Sequence, residues 1–181
     1  KGISILEEVI KEAPAFPLPY LVINQGYIYM GTMGIIPSFE AFTKAQPFIE
    51  KAIEIGKNLP ETQLNLSWIS CWQKWDLKQA YIHLNNALSE KQTDEMYLTM
   101  ANLLTIEGKL EIAWQFNEKA LEIAPFSSVN INYRGFLLYM MEEYEKALPY
   151  FKRSLSIQPE LPFPVLFIGV CHLFAGRNEE A

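Results

Sequence analysis

The residue types that most often carry out catalysis are scarce in this chain and are not arranged to act together. Two histidines and two cysteines occur among 181 residues. Cys171 and His172 are adjacent, so on a helix their side chains would point about 100° apart and could not form a ligand pair. His83 stands on the side of a predicted helix that we expect to be exposed. We therefore assign no catalytic residue.

The carboxylates and short motifs give no other indication of catalysis. No H-E-x-x-H, C-x-x-C, P-loop or G-x-S-x-G sequence occurs. Acidic residues are interleaved with lysines along predicted helices, as in Glu118-Lys119 and Glu145-Lys146, which is typical of a solvated face. We expect a protein that is not an enzyme, with no metal site and no cofactor.

Composition and charge exclude several classes of protein. Half of the residues are hydrophobic and 20% are charged, which excludes a disordered tail. The net charge is −6 and no basic run occurs, so the sequence lacks the electrostatic footprint of a nucleic-acid or anionic-membrane binder. No apolar run reaches the roughly 18 residues of a membrane span, and no signal peptide is visible. Because the chain does not start with Met, we expect an excised fragment of a longer protein.

The sequence repeats with a period of about 34 residues, which is the length of a helix–turn–helix repeat unit. A fixed period in this range is typical of a stacked repeat array. Identical residues recur at this step: Ala113, Ala147 and Ala181; Leu121 and Leu155; Ile123 and Ile157; Pro125 and Pro159; Gly135 and Gly169.

The segment from Gly108 to Pro125, GKLEIAWQFNEKALEIAP, resembles the tetratricopeptide repeat (TPR) family from its inter-helix turn to its closing proline. The resemblance implies an all-α fold, a right-handed superhelix (solenoid) of antiparallel helix pairs, each a helix A followed by a helix B. It also implies a non-catalytic function, the binding of another polypeptide.

The repeat pattern predicts one TPR array over residues 1–181. Small residues such as Gly135 and Gly26 would lie where helices A and B cross closely, and the recurring alanines would do the same on helix B. A left-handed cap is expected at Gly108 and Gly176, whereas Glu142 occupies that place in one copy. The expected units are 1–14 (helix B of a truncated repeat), 19–58 (with a long loop near 31–37), 60–93, 94–127, 128–161 and 162–181 (truncated).

The TPR resemblance also implies a concave groove lined by the A helices. Aromatic residues there would anchor a partner, and the asparagines could pair with the backbone of an extended peptide; alternatively, many of the aromatics pack between helices. The predicted groove residues are Tyr20, Asn24, Tyr27, Asn65, Trp68, Trp72, Asn102, Asn132, Tyr133, Phe136, Tyr139, Phe163 and Phe167. The alignment adds the groove positions Ile23, Leu64, Leu98, Thr99, Thr105, Leu166 and Val170.

Chaperone-binding TPR proteins hold a C-terminal carboxylate with a clamp of lysines, asparagines and an arginine. Asn102 matches one clamp asparagine, but Leu98 stands at the lysine and Tyr133 at another asparagine. The basic half of the clamp is absent, which argues against this specificity. Arg134 stands at a position that is usually apolar, and we expect it to extend toward a carboxylate such as Glu111.

A finer resemblance concerns the parent protein. The Gly/Pro loop at 31–37 and the segment Trp72–Leu77 are similar to the TPR arrays of bacterial multidomain transcriptional regulators and nucleotide cyclases. We therefore expect a docking or sensing segment of a bacterial signalling protein that binds a peptide or protein, and neither nucleic acid nor membrane. The alternative is self-association, as a homodimer through the truncated repeat ends, or packing against an attached effector domain. Cys71 and Cys171, three repeats apart, are predicted to be free thiols, which favours a reducing, cytoplasmic location.

Overall fold

The computed structural model describes residues 2–32 and 34–176, and this part of the chain is helical throughout, with no β-strand. The predicted all-α fold of antiparallel helix pairs is confirmed. The helices are α1 (Gly2–Glu12), α2 (Leu18–Thr32), α3 (Ser38–Gly56), α4 (Pro60–Trp72), α5 (Leu77–Glu90), α6 (Asp94–Ile106), α7 (Leu110–Ile123), α8 (Ser128–Met140), α9 (Tyr144–Ile157) and α10 (Pro162–Phe174).

The repeat period is visible in the helix starts. The helices α4, α6, α8 and α10 begin at positions 60, 94, 128 and 162. Side chains mark several of these starts: Thr93 Oγ1 accepts the N–H of Met96, and Ser127 Oγ accepts that of Asn130, at 3.3 Å each. A proline opens α4 and α10 instead, where its missing N–H is of no consequence.

The chain divides into two compact units, residues 1–91 and 92–181. In the first unit, α2 packs on α3 and α4 packs on α5, while α4 also touches α2 and α3. In the second unit, α6 packs on α7, α8 on α9, and α10 on both α9 and α8. The A helices α6, α8 and α10 are neighbours in sequence order, so they form one helix-A side of this unit.

The small residues predicted for the helix A–helix B contact are core residues. A Cβ atom added at Gly135 would lie 2.8–3.1 Å from three ring atoms of Phe151, which is too close for a side chain larger than hydrogen. The helix-B alanines are at most 1% exposed: Ala45, Ala52, Ala80, Ala87, Ala113, Ala120 and Ala147.

Two turns between helices A and B have the predicted left-handed glycine, and Glu142 adopts the same conformation at the corresponding place in a third turn. The backbone φ is +74° at Gly108, +75° at Gly176 and +61° at Glu142. Trp75, in the turn between α4 and α5, has φ +54°, which the sequence did not indicate. A left-handed conformation costs a non-glycine residue about 1–2 kcal/mol, so Trp75 and Glu142 occupy positions that glycine would fill more easily.

The first full helix pair differs from the others at its crossing point. Helix α2 continues to Thr32 and α3 begins at Ser38, so Gly31 is helical and the connection is shorter than expected. A Cβ atom at Gly31 would lie 2.6 Å from that of Ala41, whereas one at Gly26 would meet nothing within 4 Å. The close contact in this pair is therefore made by Gly31, and the prediction of Gly26 for that position is wrong.

Candidate partner-binding face

The predicted groove aromatics of α2 lie against helix α3. Tyr20 is 7% exposed and shares a core cluster with Ile49, and its hydroxyl donates to the carbonyl oxygen of Pro14 at 3.0 Å. Tyr27 is half-buried and stacks on Phe48 with ring centroids 6.1 Å apart. These two side chains belong to the core of the first unit, which differs from the expectation of a groove lining.

The structure brings two predicted groove asparagines of the first unit together in its interior. Asn24 and Asn65 are 1% and 2% exposed, and Asn24 Nδ2 donates to Asn65 Oδ1 at 3.0 Å. Asn65 Nδ2 in turn donates to the Glu61 carbonyl oxygen of its own helix at 3.0 Å. These amides link α2 to α4 and offer little to an extended peptide.

The tryptophans of α4 lie nearer the surface. Trp68 is half-buried, and Trp72 is 37% exposed. The Trp72 ring contacts that of Trp75 edge-on, with centroids 6.5 Å apart, and Trp75 is 71% exposed. Sequence reasoning missed Trp75 as a surface residue. Its place in the turn Gln73–Asp76, which is one residue longer than the turns after α6 and α8, was a signal for it.

In the second unit, four predicted groove aromatics form one cluster. The ring of Phe136 lies 5.6 Å from Tyr133, 6.3 Å from Tyr139 and 5.3 Å from Phe167, measured between centroids. Phe167 stacks on the buried Phe151 of α9 at 5.5 Å. The cluster thus joins α8 to α10 and is anchored in the core on one side.

Two further rings extend this cluster, that of Tyr144 at the start of α9 and that of Phe174 at the end of α10. Tyr144 lies 5.8 Å from Tyr139 and 5.4 Å from Phe174, and Phe174 lies 6.4 Å from Tyr139. Phe174 is 58% exposed. Sequence reasoning missed both rings, although Phe174 stands one repeat period after Met140 at the end of helix A, a position that the period itself could have identified.

Tyr133 is the buried polar member of the cluster. Its hydroxyl donates to Thr105 Oγ1 at 2.8 Å, and Thr105 donates to the carbonyl oxygen of Ala101, also at 2.8 Å. Burial raises the pKa of Tyr133 to about 12, partly opposed by the hydrogen bond to Thr105. Tyr133 therefore ties α8 to α6 as a neutral phenol.

The outward positions of α6, α8 and α10 recur with the period of the array and form a surface that we call the helix-A stripe. Each helix contributes four residues at spacings of three and four, which place them on one helix face. Among them, Val129, Leu166 and Phe174 are 48%, 58% and 58% exposed, whereas Leu98 is 8% exposed and belongs to the core. The stripe consists of Glu95, Leu98, Asn102 and Ile106; Val129, Asn132, Phe136 and Met140; Phe163, Leu166, Val170 and Phe174.

The asparagines of the stripe are partly engaged within their own unit. Asn102 Nδ2 donates to the carbonyl oxygen of Leu98 at 3.0 Å. Asn132 is half-buried, and its Oδ1 is buried without a hydrogen-bond partner among the described residues. The two asparagine amides of this surface are therefore partly engaged and set back from solvent, whereas Glu95 is exposed.

Arg134 does not extend to Glu111, and that prediction is wrong. Its guanidinium lies over the Trp114 ring, 3.8 Å from the centroid, and Nε donates to Asn117 Oδ1 at 2.6 Å. Asn117 Nδ2 donates onward to the carbonyl oxygen of Asn130 at 3.1 Å. Arg134 is 6% exposed and burial lowers its pKa, an effect opposed by the charge of Glu118. The arginine therefore links α8 to α7 within the core.

The titratable residues considered for catalysis are engaged in the fold. His83 is half-buried rather than exposed, and its Nδ1 lies 2.9 Å from Gln63 Oε1; burial and the charges of Lys57 and Lys74 lower its pKa. Cys71 and Cys171 are buried free thiols, as predicted, and burial raises the pKa of Cys71.

Within residues 2–32 and 34–176, no group of three or more His, Cys, Asp or Glu side chains is placed to hold a metal ion. A search of the same residues for a helix with the length and hydropathy of a membrane span also finds none.

Comparison with known proteins identifies the repeat. Residues 131–161 match the family model of the tetratricopeptide repeat, and no curated protein sequence matches the chain. Together with the solved structures below, this match confirms the resemblance to the TPR family that was inferred from the repeat period and the Gly108–Pro125 segment. The chain has the tetratricopeptide repeat fold, which supports a protein–protein interaction module, and proteins with this repeat are generally non-catalytic scaffolds.

Solved structures of TPR proteins superpose on most of the chain. PilW, a widely conserved type IV pilus biogenesis factor, is 18% identical with a TM-score of 0.70, covering 97% of this chain and 78% of PilW. YrrB, a TPR protein with an unusual peptide-binding site, is 15% identical with a TM-score of 0.55, covering 97% and 86%. A thermophilic TPR protein from Thermus thermophilus, TTC0263, is 17% identical with a TM-score of 0.67, covering 87% and 85%.

Proposed function

We propose that this chain is a non-catalytic protein–protein interaction module that binds a peptide or a partner protein on the helix-A stripe of its second unit. The observation that carries this proposal is the exposure of large apolar side chains on that stripe. Exposed apolar patches of this kind mark interaction sites on soluble proteins. The exposed fractions are 40% for Ile106, 48% for Val129, 42% for Met140, 40% for Phe163, 58% for Leu166 and 58% for Phe174.

The fold and one structural relative support the same function. Repeat proteins present extended binding surfaces built from the same position of successive units, and the stripe is such a surface. The solved structure of YrrB is described as having an unusual peptide-binding site. At 15% identity this relative supports the kind of ligand only, and the ligand itself has to be found by experiment.

The setting of the module follows from the finer resemblance of the sequence. We propose that it is the docking or sensing segment of a larger, cytoplasmic bacterial protein with a regulatory effector domain. The support is the Gly/Pro connection between α2 and α3 and the segment Trp72–Leu77, which are similar to the TPR arrays of bacterial transcriptional regulators and cyclases. We propose a polypeptide ligand rather than nucleic acid, in keeping with the net charge of −6.

The test is selection of binding peptides from a displayed random library on the purified chain. Met140→Lys places a charge on the stripe at a residue that is 42% exposed, so we expect it to lower binding of the selected peptides at least tenfold. Ile112→Lys is the matched control, because Ile112 is 44% exposed on helix B α7. Circular dichroism should show the same helical content for all three proteins.

The proposal fails if no peptide is enriched, or if the enriched peptides bind the Met140→Lys protein as tightly as the unaltered chain. It also fails if Ile112→Lys weakens binding as much as Met140→Lys, because the binding surface would then not be the stripe.

Self-association is a second candidate function, favoured by the surface of α10. Val165, Leu166, Leu173 and Phe174 are each more than half exposed on this one helix. Light scattering at two protein concentrations separates the candidates. A mass near 20.9 kDa at both concentrations supports peptide binding, whereas a dimer that forms at the higher concentration and is lost in Leu173→Lys supports self-association.

A further inference from the structure

The helix-A stripe is poorly suited to an extended peptide. An extended segment needs partners for its own backbone N–H and C=O groups, which are costly to bury unpaired. Nine of the twelve stripe residues are apolar, and the two asparagines are half-buried. Asn102 donates to its own helix and Asn132 Oδ1 is buried. These two asparagines therefore offer a peptide backbone only part of their hydrogen-bonding capacity.

An α-helix avoids this cost, because it satisfies its backbone hydrogen bonds internally. It would present only side chains to the stripe, in the manner of an amphipathic helix bound in an apolar groove. Neighbouring helices pack roughly 8–10 Å apart, so crossing α6, α8 and α10 spans about 20 Å, the length of about 13 helical residues. The stripe thus has the width and chemistry for three to four turns of helix.

The charges around the stripe indicate which charge the side chains of a partner should carry there. Glu95 is the charged member of the stripe, and the turn after α8 contributes Glu142, Glu143 and Glu145 beside the ring of Tyr144. Lys109 pairs with Glu107 at 2.9 Å and Lys146 with Glu143 at 3.0 Å, so the charges of these two pairs largely cancel and the acidic border consists of Glu95, Glu142 and Glu145.

Two other cations of this unit are held away from the stripe. Arg134 is buried, and Lys119 lies over the Phe116 ring of α7, 4.9 Å from its centroid. Between positions 92 and 176 there are ten Asp and Glu and six Lys and Arg. The stripe is therefore apolar at its centre and acidic at its border, which complements apolar side chains flanked by cations.

We propose that the helix-A stripe of the second unit binds an amphipathic α-helix of a partner protein, with Leu- or Phe-like side chains on the stripe and Lys or Arg on the flanks. This inference rests on the proposed function and specifies its ligand. Aromatic and long aliphatic residues of the partner helix pack on Phe136, Met140 and Phe174, and its cations lie near Glu95 and the Glu142–Glu145 turn.

Three labelled peptides, each long enough for four turns of helix, test the proposal by fluorescence anisotropy with the full chain. The first has Leu and Phe at helical spacing i, i+3, i+4 and i+7, with lysine at the flanking positions. The second replaces every lysine by glutamate, and the third keeps the lysines but carries two interior prolines that prevent a helix. We expect the first peptide to bind at least tenfold more tightly than either of the others.

Protein variants locate the bound peptide. Val129→Lys brings a cation onto the stripe at a residue that is 48% exposed, so we expect it to weaken the lysine peptide at least tenfold. Ile123→Lys, 50% exposed on α7, is the matched control and should leave binding unchanged. Glu142→Lys should weaken binding of the lysine peptide and strengthen binding of the glutamate peptide, each about threefold.

The outcomes separate this inference from the function on which it rests. Equal binding of the proline peptide overturns the helical ligand, and equal or tighter binding of the glutamate peptide overturns the basic flanks; in both cases Val129→Lys still reduces binding and the interaction module stands. If none of the three peptides binds and the displayed library yields stripe-dependent extended peptides, only the inference fails. If the library also yields nothing, the proposed function fails with it.

Discussion

One helix-A position is presented in opposite ways by α2 and by the second unit. In the second unit this position is open, since Val129 is 48% exposed and Phe163 is 40% exposed. In α2 of the first unit the aligned Tyr20 is 7% exposed. The next aligned position is buried in α4 and in α6, with Leu64 3% and Leu98 8% exposed. The position of Tyr20 is therefore core in α2 and surface in the second unit.

The longer connection between α2 and α3 explains much of this difference. Helix α3 has 19 residues, against 14 in α5, α7 and α9. Contact between Gly31 and Ala41 and between Tyr27 and Phe48 places the Tyr27–Gly31 side of α2 against α3. The exposed side of α2 bears Leu18, Val22 and Tyr29 instead. An insertion at a turn therefore changes which face of the preceding helix is buried, even where the repeat residues are retained.

The largest expected effect is at the glycines that the repeat pattern assigns to one equivalent position. Gly135→Leu places a side chain where a Cβ atom already meets Phe151 at 2.8 Å, and overpacking of this kind should destabilise the second unit by about 3 kcal/mol or more. Gly26→Ala places its methyl in open space and should stabilise the first unit by up to about 1 kcal/mol through helix propensity. Urea denaturation followed by circular dichroism measures both.

Opposite signs of these two effects would show that the units use the position differently. If Gly26→Ala destabilised the chain instead, then Gly26 would be a helix-crossing residue after all, and the comparison between the units would fail at this point.

Alkaline pH should weaken the second unit through Tyr133. Burial raises the pKa of this phenol from 10.0 to about 12 in the folded chain, so the unfolded chain loses its proton first as the pH rises. The contribution of Tyr133 to the free energy of unfolding is fully present below pH 10 and is lost between pH 10 and pH 12. At the upper end of this range the free energy of unfolding should be lower by about 2 kcal/mol.

Tyr133→Phe provides the control for this titration. It removes the hydrogen bond to Thr105, which should cost about 1 kcal/mol near neutral pH, and it removes the titrating group. The difference in unfolding free energy between the two proteins should therefore shrink and then reverse as the pH approaches the pKa of the folded chain. A difference that stays constant across this range would show that Tyr133 is accessible to water, and that the ring cluster is looser than its packing indicates.

The sequence was sufficient to predict the fold because the same information is repeated. The repeat period predicted the helix pairs, the helix-B alanines are buried, and the left-handed glycines Gly108 and Gly176 lie where the C-cap pattern predicted them. Each of these features depends on local geometry that recurs along the chain, so several copies agree on one alignment.

The candidate site was less predictable, because exposure depends on which helix covers a given face. In the second unit, alignment brought Tyr133, Phe136, Tyr139 and Phe167 together, and their ring contacts exist. In the first unit, alignment across an insertion did not reveal that Tyr27 faces α3.

The partners of Arg134 were not predicted, for a different reason. Its partner Asn117 is a buried polar residue on α7, the helix that precedes α8. The pairing of two residues that are both unusual at their repeat positions has no periodic signal, so only the structure reveals it.

The smallest effects are expected from glycine substitutions at the two non-glycine residues with positive φ. Glu142→Gly relieves a left-handed backbone in the second unit, worth about 1–2 kcal/mol, but the added freedom of the unfolded chain offsets roughly 0.4–1 kcal/mol of it. We therefore expect a net stabilisation of about 0.5–1 kcal/mol, measured by the shift in the denaturation midpoint.

Trp75→Gly in the first unit relieves the same strain and also removes the contact with the Trp72 ring, which is worth about 0.5–1.5 kcal/mol. Its net effect should therefore be close to zero, measured by the same shift in the denaturation midpoint as for Glu142→Gly. If Trp75→Gly stabilised the chain as much as Glu142→Gly, the tryptophan pair would contribute nothing to the turn, and the exposed Trp75 would need an explanation outside the stability of the first unit.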